Sequence, residues 1–217
     1  MKRESMPTIV GIHHIPRRSS RRRIELDNGE TFSLDAGLLT RHGVCVGMWL
    51  DPERLEAMRA EDARLRAKAA AFDFVRVRPY ARKELAERLR RKGFDREAVE
   101  FALDALERVG LLSDEAFAQA FVASRMRRNP KGRFALEREL RRRGIDRETI
   151  DRTLATLNEG DEREAALRVA RKQSARYRTL PEEVARRRMY QFLLRRGFSY
   201  EIVVGVLRTI YGSADVD

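Results

Sequence analysis

LRRKGFDREAVEFAL, residues 89–103, recurs with small changes as LRRRGIDRETIDRTL at 140–154 and as LLRRGFSYEIVVGVL at 193–207. Aligned on Gly93, Gly144 and Gly197, the copies are spaced 51 and 53 residues apart. Leu89, Leu140 and Leu193 stand four residues before the glycine, and Leu85, Leu136 and Met189 eight before it. Beyond the glycine, a second stripe runs through Val99, Ile150 and Val203, then Leu103, Leu154 and Leu207, then Leu106, Leu157 and Ile210. Each spacing is that of one helix face. Every copy therefore reads as helix, glycine stop, helix. The glycine takes the left-handed conformation that closes a helix. Asp95, Asp146 or Ser199 caps the next helix, with Glu97, Glu148 or Glu201 in its first turn.

A further helix follows each of the first two copies, opened by Ser113-Asp114-Glu115 and by Gly160-Asp161-Glu162. Thr179-Leu180-Pro181-Glu182 fits a capping box at the start of the third copy. The chain thus divides into three-helix repeats at 79–129 and 130–178, a partial repeat at 179–212 and a short tail at 213–217. Units this small bury their apolar faces against neighbours, which predicts a mainly α, elongated stack of tandem repeats.

Ahead of the repeats, Ile24 and Leu26, then Phe32 and Leu34, alternate with polar residues around Asp27-Asn28-Gly29-Glu30. That pattern predicts a β-hairpin over 21–35. Asp35 caps a short helix through His42, ended by Gly43, and a short extended piece follows over 44–49; together these form a segment at 21–50. Asp51-Pro52-Glu53 opens a long helix within 51–78, with Leu55, Met58, Asp62, Leu65 and Ala69 on one face. Arg78-Pro79 marks its end. Residues 1–20, with Pro7, Pro16 and basic ends, read as a disordered basic tail.

The chain of 217 residues carries a net charge of +12, with 37% charged residues and 7% aromatic. Residues 1–23 contribute +6 and residues 125–143 contribute +7, so the excess is two basic clusters on a nearly neutral body. That points to a polyanionic partner. A single cysteine, Cys45, excludes an intrachain disulfide and reads, within Val44-Cys45-Val46, as a small buried hydrophobe. No stretch is long and apolar enough for a membrane span or a signal-peptide core, which predicts a cytoplasmic protein.

Enzyme constellations are thin. His13, His14 and His42 lack metal-ligand spacing, and no phosphate loop or nucleophile motif occurs. No cofactor is expected, and Trp49 and the scattered Phe read as core. The helix pairs evoke helix-turn-helix recognition, but their second helices begin Asp95-Arg96-Glu97 and Asp146-Arg147-Glu148, and such carboxylates oppose phosphates. The candidate contacts are basic groups instead. Arg125, Arg127, Arg128, Lys131 and Arg133 fall on a Pro- and Gly-containing turn between repeats. Arg90-Arg91-Lys92, Arg141-Arg142-Arg143 and Arg195-Arg196 precede the three glycines. These groups also complement helix C-termini by about 0.3–1 kcal/mol each, whereas no folding reason for the 125–133 cluster is visible in the sequence.

The hairpin DNGETFSLD, the run RPYARKELAERLRRKGF, and ALERVGLLSDEAFAQAFVASRMRRNPKGRFALERELRRRGI together resemble the RecX family of bacterial recombination regulators. The resemblance spans about residues 21–212. It rests most on Leu85–Phe94, on Gly110–Glu115 with Phe117, Ala118 and Phe121, and on Pro130-Lys131-Gly132. It implies a curved array of three-helix repeats lying in the groove of the RecA–DNA filament. It further implies inhibition of RecA recombinase, ATPase and co-protease activities, and so a part in DNA repair and the SOS response. Such a protein is a monomer without catalytic activity. The alternative is a helical-repeat protein that binds single- and double-stranded DNA without sequence preference and has no specific RecA role.

Overall fold

The computed structural model describes residues 6–16 and 20–212. Among these are three strands and ten α-helices. The described residues form two compact units, one of those up to Val77 together with Ala86–Val109, the other of Arg78–Leu85 together with those from Gly110 onward.

In the first unit, β2 (Arg21–Leu26) and β3 (Thr31–Asp35) form the expected hairpin. Gly29 turns it with φ of 84°. A third strand, β1 (Ile9–His14), pairs antiparallel with β2. The expectation of disorder over residues 1–20 is corrected here: the Ile9 side chain is fully buried with Ile24 and Leu26, and that burial holds the strand. Residues 1–5 and 17–19 of that expected tail, and the tail at 213–217, lie outside the described residues.

Helix α1 (Ala36–Arg41) is capped by Asp35, whose carboxylate accepts from the Gly37 N–H. Residues 44–49 form no strand; they make an isolated bridge, Thr8 with Trp49. Helix α2 (Pro52–Val77) lays Leu55 and Met58 on the sheet core. Its one buried carboxylate, Asp62, explains the polar break in that apolar face. It accepts from the Arg21 guanidinium at 2.9 and 3.0 Å and from the Asp35 N–H at 3.0 Å. Helix α3 (Arg82–Arg91) belongs to the first unit from Ala86 onward. Helix α4 (Arg96–Arg108) packs along α2.

The second unit holds α5 (Asp114–Arg128), α6 (Arg133–Arg142), α7 (Arg147–Ala155), α8 (Glu159–Ser174), a 3-10 turn at Ala175–Tyr177, α9 (Glu182–Arg195) and α10 (Tyr200–Tyr211). The repeat grammar is realised at every joint. Gly93, Gly144 and Gly197 have φ of 88°, 87° and 83°. Asp95, Asp146 and Ser199 accept from the N–H groups of Ala98, Thr149 and Ile202. The capping box at Thr179 does not form, because Pro181 itself occupies the cap position and offers no side-chain acceptor.

The phase of the modules also differs from expectation. One buried cluster joins Phe117, Ala118 and Val122 of α5 to Leu136 and Leu140 of α6 and Ile150 and Leu154 of α7. Another joins Ala166 and Ala170 of α8 to Met189 and Leu193 of α9 and to Ile202, Val203, Val206 and Leu207 of α10. Each lone helix therefore packs with the pair that follows it, not the pair before. The last module is a complete three-helix unit rather than a fragment.

Successive middle helices meet end to start. The Gly132 N–H donates to the Arg196 carbonyl at 2.9 Å, and the Phe134 N–H to the Gly197 carbonyl at 3.2 Å. The Arg133 N–H donates to the Glu162 carboxylate at 2.8 Å. One module earlier, the Arg82 N–H donates to the Asp114 carboxylate at 2.7 Å, and Lys83 packs over Gly144. A Cβ on Gly197 would overlap the Ala135 backbone, one on Gly144 would meet the flexible Lys83 stem, and one on Gly93 would meet nothing within 4 Å. All three alanine variants carry left-handed strain of roughly 1 kcal/mol. Gly197→Ala adds overpacking of about 1–3 kcal/mol. Urea denaturation is expected to rank the losses Gly197→Ala above Gly144→Ala above Gly93→Ala. Equal losses at all three would remove the seating contact.

Candidate nucleic-acid interface

The turn between α5 and α6 brings its cations together but spends most of them on the fold. The Arg125 Nε donates to Glu139 Oε2 at 3.1 Å, and Lys131 Nζ pairs with Glu139 Oε1. Arg125 also lies over the Phe121 ring at 4.9 Å, with Arg143 over the same ring at 4.9 Å. Arg133 donates to the Leu157 carbonyl at 2.9 Å and flanks the buried Glu162. The expectation that this cluster has no folding role is thereby corrected for Arg125, Lys131 and Arg133. Glu139 and Glu162 look like solvent-facing acids of an amphipathic helix in the sequence, yet both are buried. A buried carboxylate needs a cation.

The triplets are divided in the same way. Arg143 bonds Glu84 at 3.4 Å, and Arg196 donates to Asn129 Oδ1 and the Pro130 carbonyl, both at 2.9 Å. Arg141 pairs with Glu137 at 2.5 Å. In the other compact unit, Arg90 lies 3.7 Å from Glu100, Arg91 lies 3.5 Å from Glu87, and Lys92 sits over the Phe74 ring at 5.2 Å. Arg127, Arg128, Arg142 and Arg195 are exposed and have no ion pair or hydrogen bond among the described residues.

Two contacts gather three of these four. Arg196 ties the end of α9, and so Arg195, to the link just after Arg128. Arg168 of α8 donates to the Met126 carbonyl at 2.7 Å, which sets α8 beside the end of α5. Three and four residues further along α8 stand Arg171 and Lys172, on the face of Arg168. Both are exposed, and their side chains pair with no group among the described residues. The sequence reading missed them because α8 carries Glu159, Asp161 and Glu162 in its first turn, so the local sum looked neutral. The helix separates the two signs by roughly three turns. Arg142 lies at the far end of α6 and does not join this face.

Arg127, Arg128, Arg171, Lys172 and Arg195 thus stand in the last turns of helices whose ends these contacts bring together, and open cationic side chains there suit phosphates. Guanidinium groups without intramolecular carboxylates lose little on binding an anion, and their forks match phosphate oxygens. The apolar core of each module supplies the rigid platform.

Burial pushes the Glu139 carboxyl up, but Lys131 and Arg125 outweigh it and hold the group below the usual glutamate range. Its contribution is complete above the unfolded-chain value of about 4.3 and is lost as pH falls through the lower folded value. Glu139→Gln is expected to cost about 1–3 kcal/mol at pH 7, with the difference from wild type closing below roughly pH 4. Denaturant melts across that pH range measure it. A variant as stable as wild type at pH 7 would return Arg125 and Lys131 to the list of available cations.

Known proteins place the chain. The models of the first, second and third RecX three-helix domains match residues 67–106, 113–154 and 161–207, in the phase that the buried clusters give. The regulatory protein RecX of Amycolatopsis mediterranei (strain U-32) is 35% identical over 148 residues, covering 68% of this chain and 85% of the relative. That of Bacillus licheniformis is 30% identical over 204 residues, covering 94% and 77%. A crystal structure of regulatory protein RecX superposes with a TM-score of 0.72 at 25% identity, covering 92% of this chain and 98% of that one. A RecX from Lactobacillus salivarius gives 0.63 at 23% identity, covering 69% and 97%, and shares the fold. With three domain models in order and relatives matched over most of their length, this chain belongs to the RecX family of regulatory proteins.

Proposed function

We propose that this protein binds the RecA–DNA filament and inhibits RecA recombinase, ATPase and co-protease activities, and so modulates DNA repair and the SOS response. It acts in the cytoplasm, by binding rather than by catalysis. Family membership supports the regulatory role. The observation that carries the mechanism is the face of unpaired cations at the ends of α5 and α9 and along α8. Phosphate contacts of this kind position a protein without reading bases. Three tandem modules offer several weak contacts to one polymer, and linked contacts add through effective concentration.

Arg127, Arg128 and Arg171 are the cations to reverse, because none of them holds a buried acid. The triple change to Glu is expected to weaken co-sedimentation with RecA–single-stranded-DNA filaments at least 10-fold at about 0.1 M salt. It is also expected to flatten the salt dependence of binding by about two to three contacts' worth. Helical circular dichroism should stay unchanged. Binding to filaments no tighter than to naked DNA would favour a sequence-independent DNA-binding protein. Undiminished filament binding by the triple variant would remove this face from the interface.

A further inference from the structure

The three middle helices do not use their starts alike. Lys83 and Glu84 of α3, Phe134 and Ala135 of α6, and Arg187 and Arg188 of α9 stand ten and nine residues before their module glycines. In α3 and α6 these positions serve the joint. Lys83 packs over Gly144, and Glu84 pairs with Arg143 at 3.4 Å. The Phe134 N–H donates to the Gly197 carbonyl, and Ala135 lies against Gly197 itself. In α9 the two positions have no such duty. Arg187 and Arg188 are exposed, and neither side chain has an ion pair or hydrogen bond among the described residues. Glu182 and Glu183, in the first turn of the helix, pair with neither. Positions released from the joint thus carry two open guanidinium groups.

Ala185, Met189 and Leu193 turn one side of α9 into the core, and on the opposite side stand Arg187, Arg188, Gln191, Leu194 and Arg195, all exposed. Arg187 and Arg195 are eight residues apart. That separation is about 12 Å along the helix axis, close to the width of the major groove of B-DNA. A helix laid across that groove brings Arg187 and Arg188 to the phosphates of one strand and Arg195 to those of the other, with Gln191 between them. A single strand offers one row of phosphates, and proteins hold it by stacking its bases on aromatic rings. This face has no ring. Phe192 lies under the Arg196 guanidinium at 5.0 Å, and the exposed rings of this unit, Phe134 and Tyr200, stand at the starts of α6 and α10. Trp49, expected as core, is 60% exposed, and Cys45, expected as buried, is exposed beside it, but both belong to the other compact unit. We infer that the outer face of α9 binds duplex DNA, spanning the major groove through its phosphates. The inference extends the phosphate site along α9; it rests on the reading of that site as phosphate-binding and does not need RecA.

The test uses the full chain with Arg187→Glu and Arg188→Glu combined. A control of equal charge change combines Arg96→Glu and Arg108→Glu, at exposed and unpaired positions of the other compact unit. The probes are a short DNA duplex and oligo(dT) of equal length, with binding read by fluorescence anisotropy across a salt series. The α9 variant is expected to bind the duplex at least 10-fold more weakly at about 0.1 M salt, with a salt slope smaller by about two phosphates' worth. Its oligo(dT) affinity should fall no more than about 3-fold, and the control should bind the duplex within about 2-fold of wild type. Both variants should unfold in urea as wild type does. Equal losses on the two probes would overturn the inference by making the face a general phosphate site. Equal duplex losses in the control would overturn it by making the effect one of net charge. Wild-type duplex affinity in the α9 variant would also overturn it and leave the filament reading intact. A wild type that holds duplex through α9 yet fails to bind RecA–single-stranded-DNA filaments would bear out this inference and overturn the filament reading alone.

Discussion

A helix begins with N–H groups that have no partner and ends with carbonyls that have none. In this protein the two shortages are joined: α6 starts where α9 ends, and its first N–H groups donate to the carbonyls of Arg196 and Gly197. The macrodipoles meet with opposite ends together. Backbones can approach that closely because Gly132 faces Gly197 with no side chain between. The same seating recurs one module earlier, where the start of α3 meets the end of α6 at Gly144. A helix–glycine–helix pair cannot complete this joint, because the Arg82 and Arg133 amides need Asp114 and Glu162 from the lone helix that opens the following module. The three-helix unit follows from that requirement.

The joint also sorts the arginines. Those that stand at it serve the fold. Arg143 and Arg196, each just before a module glycine, reach back to Glu84 and to Asn129 with Pro130. Arg125 and Lys131 neutralise Glu139. The cations left over occupy last-turn positions that the joint does not use, and there the guanidinium groups remain open to an anion. The proposed filament binding draws on both features: a repeating scaffold, and charge that the scaffold does not consume.

Much of this was written locally in the chain. Gly93, Gly144 and Gly197 with their caps read correctly, because a left-handed stop and a side-chain acceptor are decided within four residues. Module phase did not, since nothing near Ser113 says whether its helix covers the pair before or after it. The burial of Glu139 and Glu162 was equally invisible, and with it the structural duty of Lys131 and Arg133. Strand β1 was obscured by its flanking prolines and His13-His14, although Ile9 carries the burial that holds it. Residues 44–49 are apolar in composition, but only the bridge to Thr8 decides that Trp49 turns outward. Family resemblance pointed to a regulator throughout, and it did not separate the arginines left open to solvent from those that hold the fold.

The most direct measurement is the single-stranded-DNA-dependent ATPase rate of RecA, titrated with this protein. Strong inhibition well below one copy per RecA protomer is the expected result, because a modular binder acts on the filament as a polymer. An unchanged rate at equimolar protein would contradict the account and leave a family member whose basic face serves some other polyanion.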